Sequence, residues 1–194
     1  MMDELIEPIN TYVPLNPEER NWLRQAVVKQ SYRKHEVIFS EGQVAEELYF
    51  LVKGCVRLYY DVEGNDKTAF FYTEGKFICA GESYTFGVPA RESYQAIEDT
   101  ELYILTKPAI EKLLLASPKF EILARIAVED ELITYQRLLA SFITKSAEQR
   151  YVEFLDTQGE LFQRVPQQYI ASFLGVSPET LSRIKARVHK KRLS

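Results

Sequence analysis

The sequence predicts an α+β chain: an N-terminal antiparallel β-roll of jelly-roll type, one long helix, and a C-terminal helix-turn-helix. Three observations carry this. Short apolar or alternating runs recur from about Ser31 to Leu105, separated by turn signals. Residues 119–146 contain neither glycine nor proline. The last thirty residues hold a patterned helix pair crowded with positive charge. The domains expected are 1–118 for the β-roll with its flanking helices, 119–146 for the long helix, and 147–194 for the terminal helices.

At the N-terminus, "NPEERNWLRQAVVKQ" (Asn16–Gln30) is the best helical piece. Asn16 can cap it, Pro17 suits the first helical position, and Glu18 and Glu19 suit the positive end of the helix dipole. Trp22, Leu23, Ala26 and Val27 make one apolar face. In the β region, runs such as "ELYFLVKG", "CVRLYYD" and "ELYILT" are punctuated at Gly42, Gly54, "EGND" (63–66) and Gly75. Evenly spaced short strands with glycine-bearing turns indicate an antiparallel sandwich or barrel, and "DVEGNDK" is a hairpin.

"KPAIEKLLLAS" (107–117) is a short helix that breaks at Pro118, and residues 119–146 form the long one. Val128, Leu132, Tyr135, Leu139 and Phe142 fall at spacings of four and three, so they line one face. A second apolar zone contains Ile122, Leu123, Ile126, Ile133 and Ala140. One stripe could cover the β-roll; the other needs a further surface, and a copy of the same helix is the simplest candidate. Ile126, Ile133, Leu139 and Ala140 are the expected interface. "AEQRYVEFLDTQGE" (147–160) is a further helix, and "LFQRVP" a short strand or connector.

The terminal pair places one helix over Gln167–Leu174 and another over Pro178–Val188. Ile170, Ala171 and Leu174 face inward from the first, and Leu181, Ile184 and Val188 from the second. Gly175 falls where the chain must turn sharply, Val176 plugs the corner, Ser177 caps, and Pro178 takes the first helical position. The connection is too short for antiparallel helices, so they cross steeply, as in a helix-turn-helix. The outer face presents Glu179, Thr180, Ser182, Arg183 and Arg187. Arginine can donate two parallel hydrogen bonds to guanine O6 and N7, and a glutamate can accept from cytosine N4. Thr180 and Ser182 can reach phosphate or a base edge. Lys185, Arg187, Lys190, Lys191 and Arg192 would meet phosphates. Glu179 has a second reading, stabilising its own helix start.

Charge is unevenly spread. From Ser141 onward nine Lys and Arg stand against five acids, whereas the first 140 residues carry fifteen against twenty-three. Such asymmetry suggests that one part meets a polyanion.

A β-roll of about 75 residues, a long unbroken helix and a helix-turn-helix together resemble the Crp/Fnr family of bacterial transcription regulators. The resemblance covers nearly the whole chain. "HEVIFSEGQVAEELYFLVKGCVRLYY" looks like the family's cyclic-nucleotide-binding fold, and "SPETLSRI" is similar to its recognition helix. The resemblance implies a homodimer joined along the long helix and double-stranded DNA as partner, contacted by Ser177, Glu179, Thr180, Ser182, Arg183 and Arg187. RNA polymerase is a candidate further partner, and any small-molecule effector is unknown. The segment matching the family's nucleotide pocket is "FICAGESYTFGVPARES" (Phe77–Ser93), with Gly81, Glu82, Arg91 and Ser93 as candidate effector residues. Arg91 matches the phosphate-binding arginine. Gly81-Glu82 lies one residue too near it, and Glu92 intervenes before Ser93 and would repel a cyclic phosphate. Cyclic AMP or GMP binding in the usual way is therefore not expected, and no cofactor is. Relatives commonly continue into a β-wing; here the expectation is a wing truncated, or reduced to "LFQRV".

Other classes are disfavoured. A cupin-like enzyme needs several histidines on a metal, and only His35 and His189 are present, in different domains. No phosphate loop or nucleophile elbow appears, so no catalytic or metal-ligating residue is expected. Haem on His35 is a weaker reading than a surface histidine at a strand start, and two isolated cysteines cannot hold an iron–sulfur cluster. No run of 18 apolar residues exists, "MMDELIEPIN" lacks the apolar core of a secretory signal, and Cys55 and Cys79 read as free thiols, so a cytoplasmic protein is expected. The alternative is a ligand-binding regulatory module acting through protein–protein contacts.

Overall fold

The computed structural model describes residues 2–193, with side chains through Lys191. Two helices open the chain, α1 (Asp3–Tyr12) and α2 (Pro17–Ala26). Strands β1 (Val27–Tyr32), β2 (Val37–Phe39), β3 (Glu47–Lys53), β4 (Val56–Val62), β5 (Asn65–Tyr72) and β6 (Phe77–Ile78) follow. Then come α3 (Gly81–Phe86), β7 (Ser93–Ala96), β8 (Thr100–Thr106), α4 (Lys107–Ala116) and α5 (Pro118–Thr144). The chain closes with α6 (Ala147–Gln158), α7 (Leu161–Arg164), α8 (Gln167–Phe173) and α9 (Pro178–Leu193). It divides into two compact units, Met1–Leu58 with Phe71–Glu131, and Tyr59–Phe70 with Leu132–Ser194, so the boundaries fall inside β4, β5 and α5.

The strands form two four-stranded sheets, ordered β1-β8-β3-β6 and β2-β7-β4-β5. The first is antiparallel at every junction, with β8 between β1 and β3. Phe50, Tyr103 and Leu105 of this sheet pack with Leu5, Ile6, Leu23, Leu113 and Phe120 from the flanking helices. Leu51 and Leu102 are also fully buried. Both faces of β3 and β8 are thus covered, which explains why "LYFLV" and "LYIL" are continuous apolar runs without alternation.

The expected start of α2 is present in full. The Asn16 side chain accepts from the Glu19 N–H at 2.9 Å, and Glu19 accepts from the Asn16 N–H at 2.7 Å, a reciprocal cap. Glu19 is buried and also accepts from Lys119 Nζ and Ser117 Oγ, both at 2.8 Å. The Lys119 bond, then the Asn16 N–H, pull its carboxyl down to about 2. The helix itself is shorter than the expected Asn16–Gln30. It ends at Ala26, and Val27–Tyr32 pair in register with Leu105–Thr100 of β8. Sheet pairing overrides the helical reading there, helped by the adjacent β-branched Val27 and Val28.

The β4–β5 hairpin turns at Glu63 and Gly64, both at positive φ (55° and 78°), as a type I′ connection requires. Gly54, between β3 and β4, has φ +107°, and a Cβ there would lie 2.5 Å from Thr100 Oγ1 and 2.9 Å from Thr100 Cα. Gly54→Ala is expected to destabilise the β-roll by about 2–5 kcal/mol, from backbone strain plus overpacking. Chemical denaturation checks this as a lowered midpoint; an unchanged midpoint would remove the close approach as a constraint.

In the second unit, "LFQRV" is not a strand. Residues 161–164 form the short helix α7, and no strand follows β8 among the described residues. The cause is packing: Leu161 is fully buried, and the Phe162 ring stands edge-on to Tyr151 at 5.4 Å and Phe154 at 5.3 Å. No wing, reduced or otherwise, is therefore formed by these residues.

Candidate nucleic-acid interface

Helix α8 ends in a left-handed turn. The Val176 N–H donates to Ala171 O (3.0 Å), and the Gly175 N–H to Ser172 O (2.9 Å), the paired bonds of a Schellman motif. Gly175 has φ +69°, and a Cβ there would meet Phe142 Cε1 at 3.1 Å. The left-handed conformation favours glycine, and a Cβ would require the Phe142 ring to shift by a few tenths of an ångström. Arg150 secures the same corner. Its Nη2 donates to Leu174 O at 2.9 Å, its Nη1 to Lys145 O at 2.8 Å, and its guanidinium lies 4.5 Å over the Phe142 ring.

Ile170, Ala171, Leu174, Leu181, Ile184 and Val188 are all buried, as the motif requires, while Val176 is half-buried. The Ser177 side chain caps α9 by accepting from the Thr180 N–H at 3.2 Å. Helix α9 continues past the expected Val188 to Leu193. Ser177, Glu179, Ser182, Arg183 and Arg187 are exposed, and Thr180 is half-buried. The Thr180 hydroxyl accepts from Arg183 Nη2 at 3.0 Å and from Ser177 Oγ at 3.2 Å, which places the guanidinium beside the first turn. The bond from Ser177, its own backbone N–H and the nearby Arg183 charge keep the Glu179 carboxyl below its ordinary range.

The basic face is more committed than its residue count suggests. Lys145 pairs with Glu153, and Arg164 with Glu160. Arg187 and Lys191 both pair with Glu148, and Lys185 Nζ lies 5.7 Å from the Phe162 ring centroid. Lys190 is exposed, and the Arg192 side chain lies outside the described residues. The β-hairpin tip also belongs to this unit: the Thr68 N–H donates to Ser172 Oγ at 2.9 Å, and Phe70 meets Tyr135 edge-on at 5.8 Å.

The segment at Phe77–Ser93 forms a second candidate site, in the β unit. Gly81 opens α3, and Glu82 follows in its first turn. Arg91 and Glu82 are highly exposed, with Arg91 Nε 3.9 Å from Glu82 Oε2. The Arg91 N–H donates to Glu92 Oε2 at 3.2 Å. Ser93 is buried and accepts from the Glu41 N–H at 2.9 Å. The loop is fastened to the β2–β3 turn by Gly42 N–H to Ala90 O (2.9 Å) and Ala90 N–H to Gln43 O (2.8 Å). His35 is an exposed residue at φ +70° before β2. Neither cysteine is in a disulfide, and burial pushes the Cys79 thiol up to about 12.

Residues 29–117 match the family model for the cyclic nucleotide-binding domain. No curated protein sequence matches the chain with significance. Among solved structures, FixK2 from Bradyrhizobium japonicum is similar at a TM-score of 0.72 and 24% identity, over 85% of each chain. A putative transcriptional regulator of the Crp/Fnr family from Eubacterium rectale gives 0.71 and 17%, over 93% of this chain and 88% of that one. The c-di-GMP-responsive global regulator CLP of Xanthomonas campestris gives 0.72 and 17%, over 92% and 94%. The fold is that of the Crp/Fnr regulators. Its β-roll is the part that matches the cyclic nucleotide-binding domain model.

Within this Crp/Fnr fold the long helix leaves apolar side chains uncovered. Of α5 only Phe120 is fully buried, while Leu123 packs against the core of the β unit. In the first stripe Val128, Leu132 and Leu139 are 65%, 55% and 62% exposed, whereas Tyr135 and Phe142 meet Phe70 and the α8–α9 corner. In the second zone Ile133 is 44% exposed, Ala140 is exposed, and Ile126 is half-buried. Sequence reasoning missed the structural work of Arg150 and Glu148, which it counted only as charge. Their partners lie 24 and about 40 residues away, so no local pattern announces them. No helix of the described chain is long and apolar enough to cross a membrane.

Proposed function

We propose that this chain is a homodimeric transcription regulator that reads duplex DNA with α9. The observation that carries the reading is the split character of α9. Leu181, Ile184 and Val188 bury one side, while Glu179, Ser182 and Arg183 stand exposed at a capped N-terminal turn, the part that enters the major groove in helix-turn-helix proteins. Dimerisation along the uncovered side of α5 would set two such turns about 34 Å apart, one helical repeat of DNA. The similarity to regulators of gene expression supports the same reading.

The sensor does not take a cyclic phosphate in the usual manner. Two of the groups such a phosphate would use lie against carboxylates: the Arg91 guanidinium faces Glu82, and the Arg91 N–H donates to Glu92. Two carboxylates flank the one arginine, so the local field opposes an anion. An effector, if one acts, must bind two states of the dimer unequally.

Enrichment of random duplexes by the purified protein, with and without cyclic AMP and cyclic GMP, tests both statements. A two-fold-related motif, unchanged by either nucleotide, is expected. No enriched sequence at low salt would overturn the DNA reading, and a motif that appears only with a nucleotide would overturn the sensor reading. Binding insensitive to salt would point to a protein partner instead.

A further inference from the structure

We propose that Glu148 masks part of the α9 charge and so limits sequence-independent attraction to nucleic-acid backbone. The inference rests on the DNA reading above. Glu148 lies in the first turn of α6. Its Oε1 accepts from Lys191 Nζ at 2.7 Å, and its Oε2 lies 3.4 Å from Arg187 Nη2. One carboxylate therefore engages two cations a single helical turn apart on α9. Its side chain is 26% exposed, against 61% and 71% for Arg187 and Lys191, so the anion is the sheltered member of the cluster. The Lys191 bond and the charges of Lys191 and Arg187 hold its carboxyl below the ordinary range, and the positive end of α6 favours the same ionised form.

These two are among the cations that should meet phosphate beyond the base-reading turn. A phosphate that takes them competes with Glu148 for their charge. Phosphate contacts supply nearly all non-specific affinity and its salt dependence. Base reading by Arg183 and Glu179 does not use this carboxylate. The pairing should thus lower background binding while leaving base choice intact.

Fluorescence anisotropy of the full chain on a random-sequence duplex, over a salt series, tests this with Glu148→Gln. The Gln form is expected to bind more tightly, with a salt slope steeper by up to about 1.8, two phosphate contacts' worth. Its advantage would then grow about 3.5-fold for each halving of salt. It should also elute later from immobilised heparin. Glu148→Asp keeps the charge and should track the native slope. Parallel salt lines and equal heparin elution for native and Gln forms would overturn the inference. A slope change shared by the Asp form would assign the effect to helix packing and overturn it too. Later heparin elution of the Gln form, with neither form binding any duplex, would sink the DNA reading while the masking stands.

Discussion

Replacing Arg183 with alanine is expected to cost about 1–3 kcal/mol per half-site, hence about 2–6 kcal/mol for a dimer on its preferred duplex, and to relax base choice at the position that arginine reads. The structure gives the reason. Arg183 is exposed on the first turns of α9, and its guanidinium is already held beside Thr180 at 3.0 Å, so little freedom is lost on docking. Removing it deletes a bidentate donor without opening a cavity, because the buried side of α9 is made by other residues. The fold should therefore melt normally. Competition binding on the enriched sequence against random duplex checks the loss. An enrichment profile identical to that of the native protein would remove Arg183 from the reading set.

Leu139→Glu is expected to convert the dimer to monomer at micromolar concentration and, through that, to abolish tight binding to a two-fold site. Leu139 is 62% exposed in the single chain, on the same stripe as the uncovered Val128 and Leu132. A carboxylate there would be buried against a partner helix without a counter-charge, a penalty of several kcal/mol. The monomer should lose little stability of its own, since Leu139 belongs to the core of neither unit. Analytical ultracentrifugation reads the outcome. An intact dimer of native affinity would show that α5 uses another side, with Ile133 and Ala140 the next residues to test. Losing the dimer should also lose the added affinity of the second half-site, so weak, salt-sensitive binding alone would remain.

Much of this architecture was legible locally. The asparagine cap of α2, the "EGND" hairpin, the unbroken α5 and the Gly175–Ser177–Pro178 corner each depend on residues within a few positions of one another. Where the reading failed, a distant partner decided. Val27–Gln30 reads as the end of a helix until β8 is there to pair with it. "LFQRV" reads as a short strand or connector, yet Phe162 finds Tyr151 and Phe154 and winds into a helix. The charge count suggested nine cations facing a polyanion from Ser141 onward. Folding commits Lys145, Arg150, Arg164, Arg187 and Lys191 to partners within the chain.

The sequence by itself determined most of the element types, the order β-roll, long helix, helix-turn-helix, and the identity of the outward α9 side chains, because periodicity, caps and turns act over a few residues. Only the tertiary structure decided which cations pair within the chain and which carboxylate lies beside the pocket arginine. Those are properties of ion pairs and close approaches between residues far apart in the chain, such as Glu148 with Lys191, and Arg91 with Glu82. A Coulomb interaction falls off with distance in space, and sequence separation says nothing about that distance until the chain has folded.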